Sequence, residues 1–230
     1  MPAKIEPLRL QSIELFRGLT PEQTARISER IYCRTYTAGT DIIIAEQPGE
    51  VVYILLSGTV KIHVQGTDGA EVVLAILGPG DIVGEISLLD SAGRSASAVT
   101  LEDSQLLWMG AQAFQECLRT LPVISQNLTR ILAGRMRLAN ELIQALATLD
   151  VNGRVARQVL AFAERYGQAG EQGVLIPLRL TQGDLADLVG ASRKRVNQTM
   201  VLFKGQGLLF VEEKGRIIVQ DVEGLKRYCV

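Results

Sequence analysis

Two clusters of residues have the types and spacing to bind something. The first is Asp81-Ile82-Val83-Gly84-Glu85-Ile86-Ser87-Leu88-Leu89-Asp90-Ser91-Ala92-Gly93-Arg94-Ser95-Ala96. A glycine-rich turn opens a very short helix, and N–H groups at helix starts bind anions. Arg94 can make bidentate bonds to phosphate oxygens. Glu85 repels phosphate, yet its carboxylate can accept a hydrogen bond from a ribose hydroxyl. An acid and an arginine nine residues apart around one turn suit a sugar-phosphate. They suit a surface Glu–Arg ion pair on a β-turn equally well. The second cluster starts at Thr181-Gln182-Gly183-Asp184, an N-cap with an acid three residues on. Leu185, Ala186, Leu188 and Val189 give a short apolar helix face, Gly190 ends it, and Ser192 caps the next helix. There Val196, Met200 and Phe203 fall at i, i+4, i+7 and must face a core. The outer face then carries Arg193, Lys194, Asn197 and Gln198, with Arg195 towards the flank. Arg and Lys pair with guanine edges, Asn and Gln with adenine. Thr181, Gln182 and Ser192, at the two helix starts, complete the expected DNA-facing set. A helical hairpin with a solvated basic face is the alternative.

These clusters need elements to hold them. Thr20-Pro21-Glu22 is a helix start, and residues 12–33 read as an amphipathic helix. Between Gly39 and Trp108, short β-rich runs alternate with turns: 41–44, 51–56, 60–64, 72–77, 96–100 and 105–109. That texture predicts a β-roll. After Pro122, Ile124, Leu128, Ile131, Arg135, Leu138, Leu142, Ala145 and Leu149 follow alternating 4-3 spacing, a heptad seam interrupted by Arg135. A second stripe, Leu132, Met136, Ala139, Ile143 and Leu146, lies beside it. One stripe can pack on the β-roll and the other against a second copy of the helix, which predicts a homodimer. A single buried helix in a monomer is the alternative. Residues 154–166 predict a helix. A polar loop over 167–173, a strand near 175–180, the two short helices and a hairpin around Lys214-Gly215 follow. The tip residue Lys214 could touch phosphates.

The 230-residue chain allows one large or two small domains. Net charge is −1. Residues 1–150 hold 12 Lys/Arg against 17 Asp/Glu, and 151–230 hold 12 against 8. A basic C-terminal third would be the part that meets a polyanion. No apolar run reaches the ~18 residues of a membrane-spanning helix, and the N-terminus has no apolar signal segment. Three scattered cysteines, Cys33, Cys117 and Cys229, suggest a reducing compartment, hence a cytoplasmic protein with no disulfide framework. One histidine, no paired metal ligands and no nucleophile–base arrangement argue against an enzyme.

Over nearly its whole length the chain resembles bacterial transcription regulators of the cyclic AMP receptor protein/FNR family. The stretch Gly78-Pro79-Gly80-Asp81 through Gly84-Glu85 to Arg94-Ser95 resembles that family's phosphate-binding cassette. Leu149-Asp150-Val151-Asn152-Gly153-Arg154 resembles its hinge, and Leu185 to Val196 its helix-turn-helix. The resemblance implies an α+β architecture: a β-roll sensor (1–121), a dimerisation helix (122–150) and a winged helix-turn-helix (151–230). It implies that Glu85 holds a ribose 2′-hydroxyl, that Arg94 and Ser95 hold a cyclic phosphate, and that Gly84, Ile86 and Ser87 line the sugar. Arg135 matches a helix arginine near the phosphate and Glu85, which would explain a charge inside the heptad seam. The base would meet Ala139-Asn140, where relatives carry Thr-Ser or Thr-Asn; Ala139 lacks the hydroxyl. Members with an iron–sulfur cluster have an N-terminal cysteine cluster, absent here. Haem members need a histidine in the cassette, whereas His63 reads as a surface strand residue. The expected function is a homodimeric, DNA-binding regulator controlled by cyclic AMP or cyclic GMP and without a cofactor. Its operator would be an inverted repeat in double-stranded DNA, with RNA polymerase a partner if it activates and no membrane role. The alternatives are another metabolite, no ligand, or a cyclic-nucleotide regulatory subunit of an enzyme complex.

Overall fold

A computed structural model describes residues 3–4, 6, 10–66, 69, 71–212 and 215–229. The chain divides into two compact units, residues 1–64 with 76–135, and residues 65–75 with 136–230.

The first unit begins with strand β1 (Ala3–Lys4), a 3-10 turn (Glu14–Phe16) and helix α1 (Pro21–Ser28). Thr20 caps α1 through a reciprocal bond with Gln23, as its Thr-Pro start implies. The expected helix over 12–33 is corrected here. Its middle is helical, but Tyr32–Tyr36 is strand β2, paired with β9. Aromatic and β-branched residues there favour a pleated, half-buried strand over a third helical turn. Strands β3 (Asp41–Ile43), β4 (Val51–Ser57), β5 (Val60–Gln65), β6 (Glu71–Leu77), β7 (Ile82–Val83), β8 (Ser97–Thr100) and β9 (Ser104–Gly110) follow. One sheet runs β1-β2-β9-β4-β7, all antiparallel. In a second sheet β3 and β5 flank β8. A single-turn helix α2 (Ile86–Leu89) separates β7 from β8, and α3 (Ala111–Thr120) leads into the 27-residue α4 (Pro122–Thr148).

The first stripe on α4 buries in its N-terminal half: Ile124, Leu128 and Ile131 join Leu10, Phe16, Ile54, Leu107 and Phe114 in one core, while Leu138, Leu142 and Leu149 beyond Arg135 are half-buried. Each such side chain contributes about 1.5–3 kcal/mol. Buried Asn127 ties the N-terminal turn to α4 by donating to Leu15 O (3.1 Å) and Arg17 O (2.8 Å).

The second unit contains α5 (Val151–Tyr166), β10 (Gln168–Gly170), β11 (Gly173–Ile176), α6 (Gln182–Leu188), α7 (Arg193–Gly205), β12 (Leu209–Val211), β13 (Ile217–Val219) and α8 (Val222–Lys226). Its sheet runs β10-β11-β13-β12. Three expectations are corrected. The polar segment 167–173 is not loop throughout, because Gln168–Gly170 pairs with β11. The strand expected near 175–180 ends at Ile176, just before Pro177. Helix α5 starts three residues before the expected 154, at Val151, because the Asp150 side chain accepts from Gly153 N–H (2.8 Å).

Candidate ligand cradle and nucleic-acid interface

The cradle grows out of a tight turn. Gly78 N–H donates to Asp81 Oδ2 (3.0 Å), and Asp81 N–H returns a bond to Gly78 O (3.1 Å). This launches the two-residue strand β7. Gly84 then takes φ +86°, a left-handed conformation natural only to glycine. A Cβ there would lie 2.5 Å from Arg94 Nη1 and 2.8 Å from Ile43 Cδ1. Glycine is thus required twice, for the turn and for the approach of the arginine.

Arg94 is buried. Its Nη1 donates to Gly84 O (2.7 Å) and Ser87 Oγ (2.9 Å), and its Nη2 to Val51 O (2.6 Å). Burial lowers its pKa, with Tyr53, Glu85 and Glu50 opposing. Burial, with neighbouring Tyr36, pushes the Tyr53 phenol up to about 12, so it stays neutral beside this cation. Glu85 is 2% exposed and receives Arg135 Nη1 at 2.7 Å. Burial raises the Glu85 pKa, and the Arg135 charge pulls it partly back. The alternative reading of the spacing, a surface ion pair between Glu85 and Arg94, does not form. Glu85 pairs with Arg135 on the long helix, while Arg94 is held by neutral acceptors.

Arg135 also donates to Ile82 O and lies 3.5 Å from Asp81 Oδ1. Among the described residues, its Nε is buried with no hydrogen-bond partner. A cavity of about 80 Å3 opens here, lined among others by Gly84, Glu85, Ile86, Ser87, Arg94, Ser95 and Arg135. Seven of the nine expected ligand residues thus share one site. Ala139 and Asn140 are exposed, one turn beyond Arg135 on α4, and belong to the other compact unit. Sequence reasoning missed Asp81 as a member of the charge cluster. Its signal was a carboxylate inside a Gly-Pro-Gly-Asp turn, a setting where aspartate normally serves only the backbone. His63 is half-buried on β5 rather than a surface residue.

In the second unit, Thr181 caps α6 in a reciprocal box with buried Asp184. Gly190 turns at φ +59°. Ser192 caps α7 by accepting from Arg195 N–H (3.4 Å). Val196, Met200 and Phe203 are buried, while Arg193, Lys194, Arg195, Asn197 and Gln198 are exposed, the division that their spacing implies. Gln182, half-buried on α6, donates from Nε2 to Asn197 Oδ1 on α7 (3.0 Å). The first turn of α5 grips this assembly. Arg154 Nη1 donates to Val189 O (2.9 Å) and Gly190 O (3.2 Å), and Asn152 Oδ1 accepts from Thr199 Oγ1 (2.7 Å). Strands β12 and β13 pair antiparallel as a wing. The expected phosphate contact Lys214 lies outside the described residues.

A buried arginine and acid on a glycine turn in a β-roll, followed by a capped helix-turn-helix with a β wing, are the parts of a two-module DNA-binding protein. Comparison with known proteins agrees. Residues 33–120 match the cyclic nucleotide-binding domain, and residues 153–228 the Crp-like helix-turn-helix domain. The chain is 35% identical over 213 residues to the CRP-like cAMP-activated global transcriptional regulator of Mycobacterium tuberculosis, covering 93% of this chain and 95% of that one. It is 33% identical over 195 residues to the cyclic AMP receptor protein of Thermus thermophilus, covering 85% and 87%. The structure of FixK2 from Bradyrhizobium japonicum shares the fold at TM-score 0.75 and 21% identity, covering 87% and 98%. The chain belongs to the CRP/FNR family of transcription regulators. It is a DNA-binding regulator with a cyclic nucleotide-binding domain, not an enzyme. Among the described residues, no helix is long and apolar enough to cross a membrane.

Proposed function

We propose that the protein is a homodimer whose grip on DNA is set by a cyclic nucleotide, cyclic AMP in the first place. The observation that carries this is the Arg135–Glu85 pair, which ties the cassette to the long helix, with Arg135 Nε still lacking a partner. A cyclic phosphate beside Arg94 and Ser95 supplies the acceptor that this buried N–H lacks. Glu85 can accept the ribose 2′-hydroxyl while Gly84, Ile86 and Ser87 border the sugar. The cavity is well below the ~300–1,000 Å3 of typical ligand pockets. It has room for the phosphate and part of the sugar; Ala139 and Asn140, which match the family's base-contacting pair, are proposed for the base. The relatives whose names specify cyclic AMP support that choice. A ligand shifts DNA binding only by favouring the DNA-competent state. Contact with both cassette and α4 gives it the means.

Met136, Ile143 and Leu146 are exposed on the single chain at 63%, 64% and 44%. A second copy of α4 covers them in the dimer. The dimer presents two α7 helices in successive major grooves, about 34–36 Å apart, on an inverted-repeat operator. Arg193, Lys194, Asn197 and Gln198 read bases there. Arg195, Thr181, Gln182 and Ser192 sit towards the backbone, Lys214 is proposed as a phosphate contact, and RNA polymerase is a partner where the protein activates. All of this takes place in the cytoplasm. Titration calorimetry with cyclic AMP and cyclic GMP tests the sensor. Saturable binding of either one at unit stoichiometry per chain supports it; heat of dilution alone from both overturns it.

A further inference from the structure

The bond between Gln182 and Asn197 joins the two helices of the DNA-binding motif on their exposed side. Each partner is firmly placed. Gln182 is the first residue of α6, whose start is locked by the Thr181–Asp184 box. Asn197 lies one turn into α7, at i+4 from Arg193 and on its face. The turn between the helices is fixed by Gly190 and by Ala191 N–H bonding Ala186 O (3.0 Å).

An asparagine amide can turn over, exchanging its donor and acceptor ends. The Gln182 N–H restricts that freedom by occupying one lone pair of Asn197 Oδ1: Asn197 cannot turn over alone without setting N–H against N–H, and the reverse orientation needs both amides to turn together. The second Oδ1 lone pair and both Nδ2 hydrogens remain for a ligand. One acceptor beside one donor is the complement of the adenine edge in the major groove, N6–H2 beside N7. From this geometry we infer that Gln182 is a positioning residue for base reading: it holds the Asn197 amide in the orientation that selects adenine. Gln182 thereby helps set specificity without reading a base itself. This rests on the DNA-binding reading of α7.

The test is selection of the full-length protein on random double-stranded DNA, with and without cyclic AMP, followed by anisotropy titrations on the selected site and its single-base variants. Four proteins are compared: wild type, Gln182→Ala, Asn197→Ala and the double variant. Wild type should prefer adenine about tenfold at one position of each half-site, within the range of a bidentate contact. Asn197→Ala should erase that preference. Gln182→Ala should cut it below about threefold at the same position, leave the Arg193 position untouched, and add nothing in the double variant. Gln182→Glu, which cannot donate to Oδ1, should lose it too. Both side chains reach solvent, so unchanged thermal melting should accompany each loss. Three outcomes overturn the inference alone: Gln182→Ala retaining the full preference, weakening all sequences alike, or acting at a different base pair. Wild type selecting no base at any position overturns the reading of α7 itself.

Discussion

Arg94 is satisfied without a carboxylate: three neutral oxygens, Gly84 O, Val51 O and Ser87 Oγ, accept its hydrogen bonds. Arg94→Leu should therefore do two things. It should abolish cyclic nucleotide binding in calorimetry. It should also lower the melting temperature, because each buried acceptor left unpaired costs about 1–3 kcal/mol. Retained affinity would show that the phosphate lies elsewhere. Glu85 supplies a pH dependence of known sign. Its carboxyl pKa is raised above the ordinary 4.5, chiefly by burial. The folded protein therefore holds this proton more tightly than the unfolded chain, and its charged form costs stability at neutral pH. Relative to Glu85→Gln, the wild type should gain stability as pH falls through the folded pKa towards 4.5. Urea unfolding of both proteins at pH 7 and pH 5 checks this; a gap that stays constant would refute it.

At the scale of elements, what could be read from sequence was what local chemistry decides. The caps at Thr20, Thr181 and Ser192 form as their residue types dictate. The burial of Val196, Met200 and Phe203 follows from helical spacing alone. The failures have different physical causes. Strand β2 exists because β9, distant in sequence, pairs with it and leaves no local trace. Strand β10 is the short arm of a local hairpin with β11, and its Gln-Ala-Gly residues carry no strand pattern of their own. The acid–arginine spacing marked the cradle and the resemblance put Arg135 near Glu85, but no local pattern could show their bond, which joins residues fifty positions apart. Two predictions belong here. Gly190→Ala should destabilise the second unit by about 1–2 kcal/mol, the left-handed cost for a residue with Cβ. The added carbon would also lie 3.1 Å from Leu146 Cδ2. Chemical denaturation measures it, and an unchanged midpoint would contradict the strain. Ala139→Thr should sharpen discrimination between cyclic AMP and cyclic GMP by restoring a hydroxyl near the base. Competition binding would show no change if α4 does not reach the base.

At the scale of the molecule, the exposed residues Met136, Ile143 and Leu146 on α4 give the proposed dimer its test. Ile143→Glu puts a charge at the most exposed of the three. In sedimentation velocity the variant should run as a monomer, and it should lose preference for inverted repeats over single half-sites. A variant that stays dimeric would move the interface off this stripe. The oxygens around Arg94 carry a further consequence, in time rather than in affinity. A nucleotide arriving at the cradle exchanges satisfied hydrogen bonds for new ones, and such an exchange nets only about 0.5–1.5 kcal/mol per bond. When the ligand leaves, the arginine has acceptors waiting, so departure strands no buried charge. A ligand held at about −8 kcal/mol and captured at about 10^5–10^7 per molar per second stays for about ten seconds or less. The regulator would forget a vanished signal almost at once, and its transcriptional output would follow the falling edge of a nucleotide pulse as faithfully as the rise.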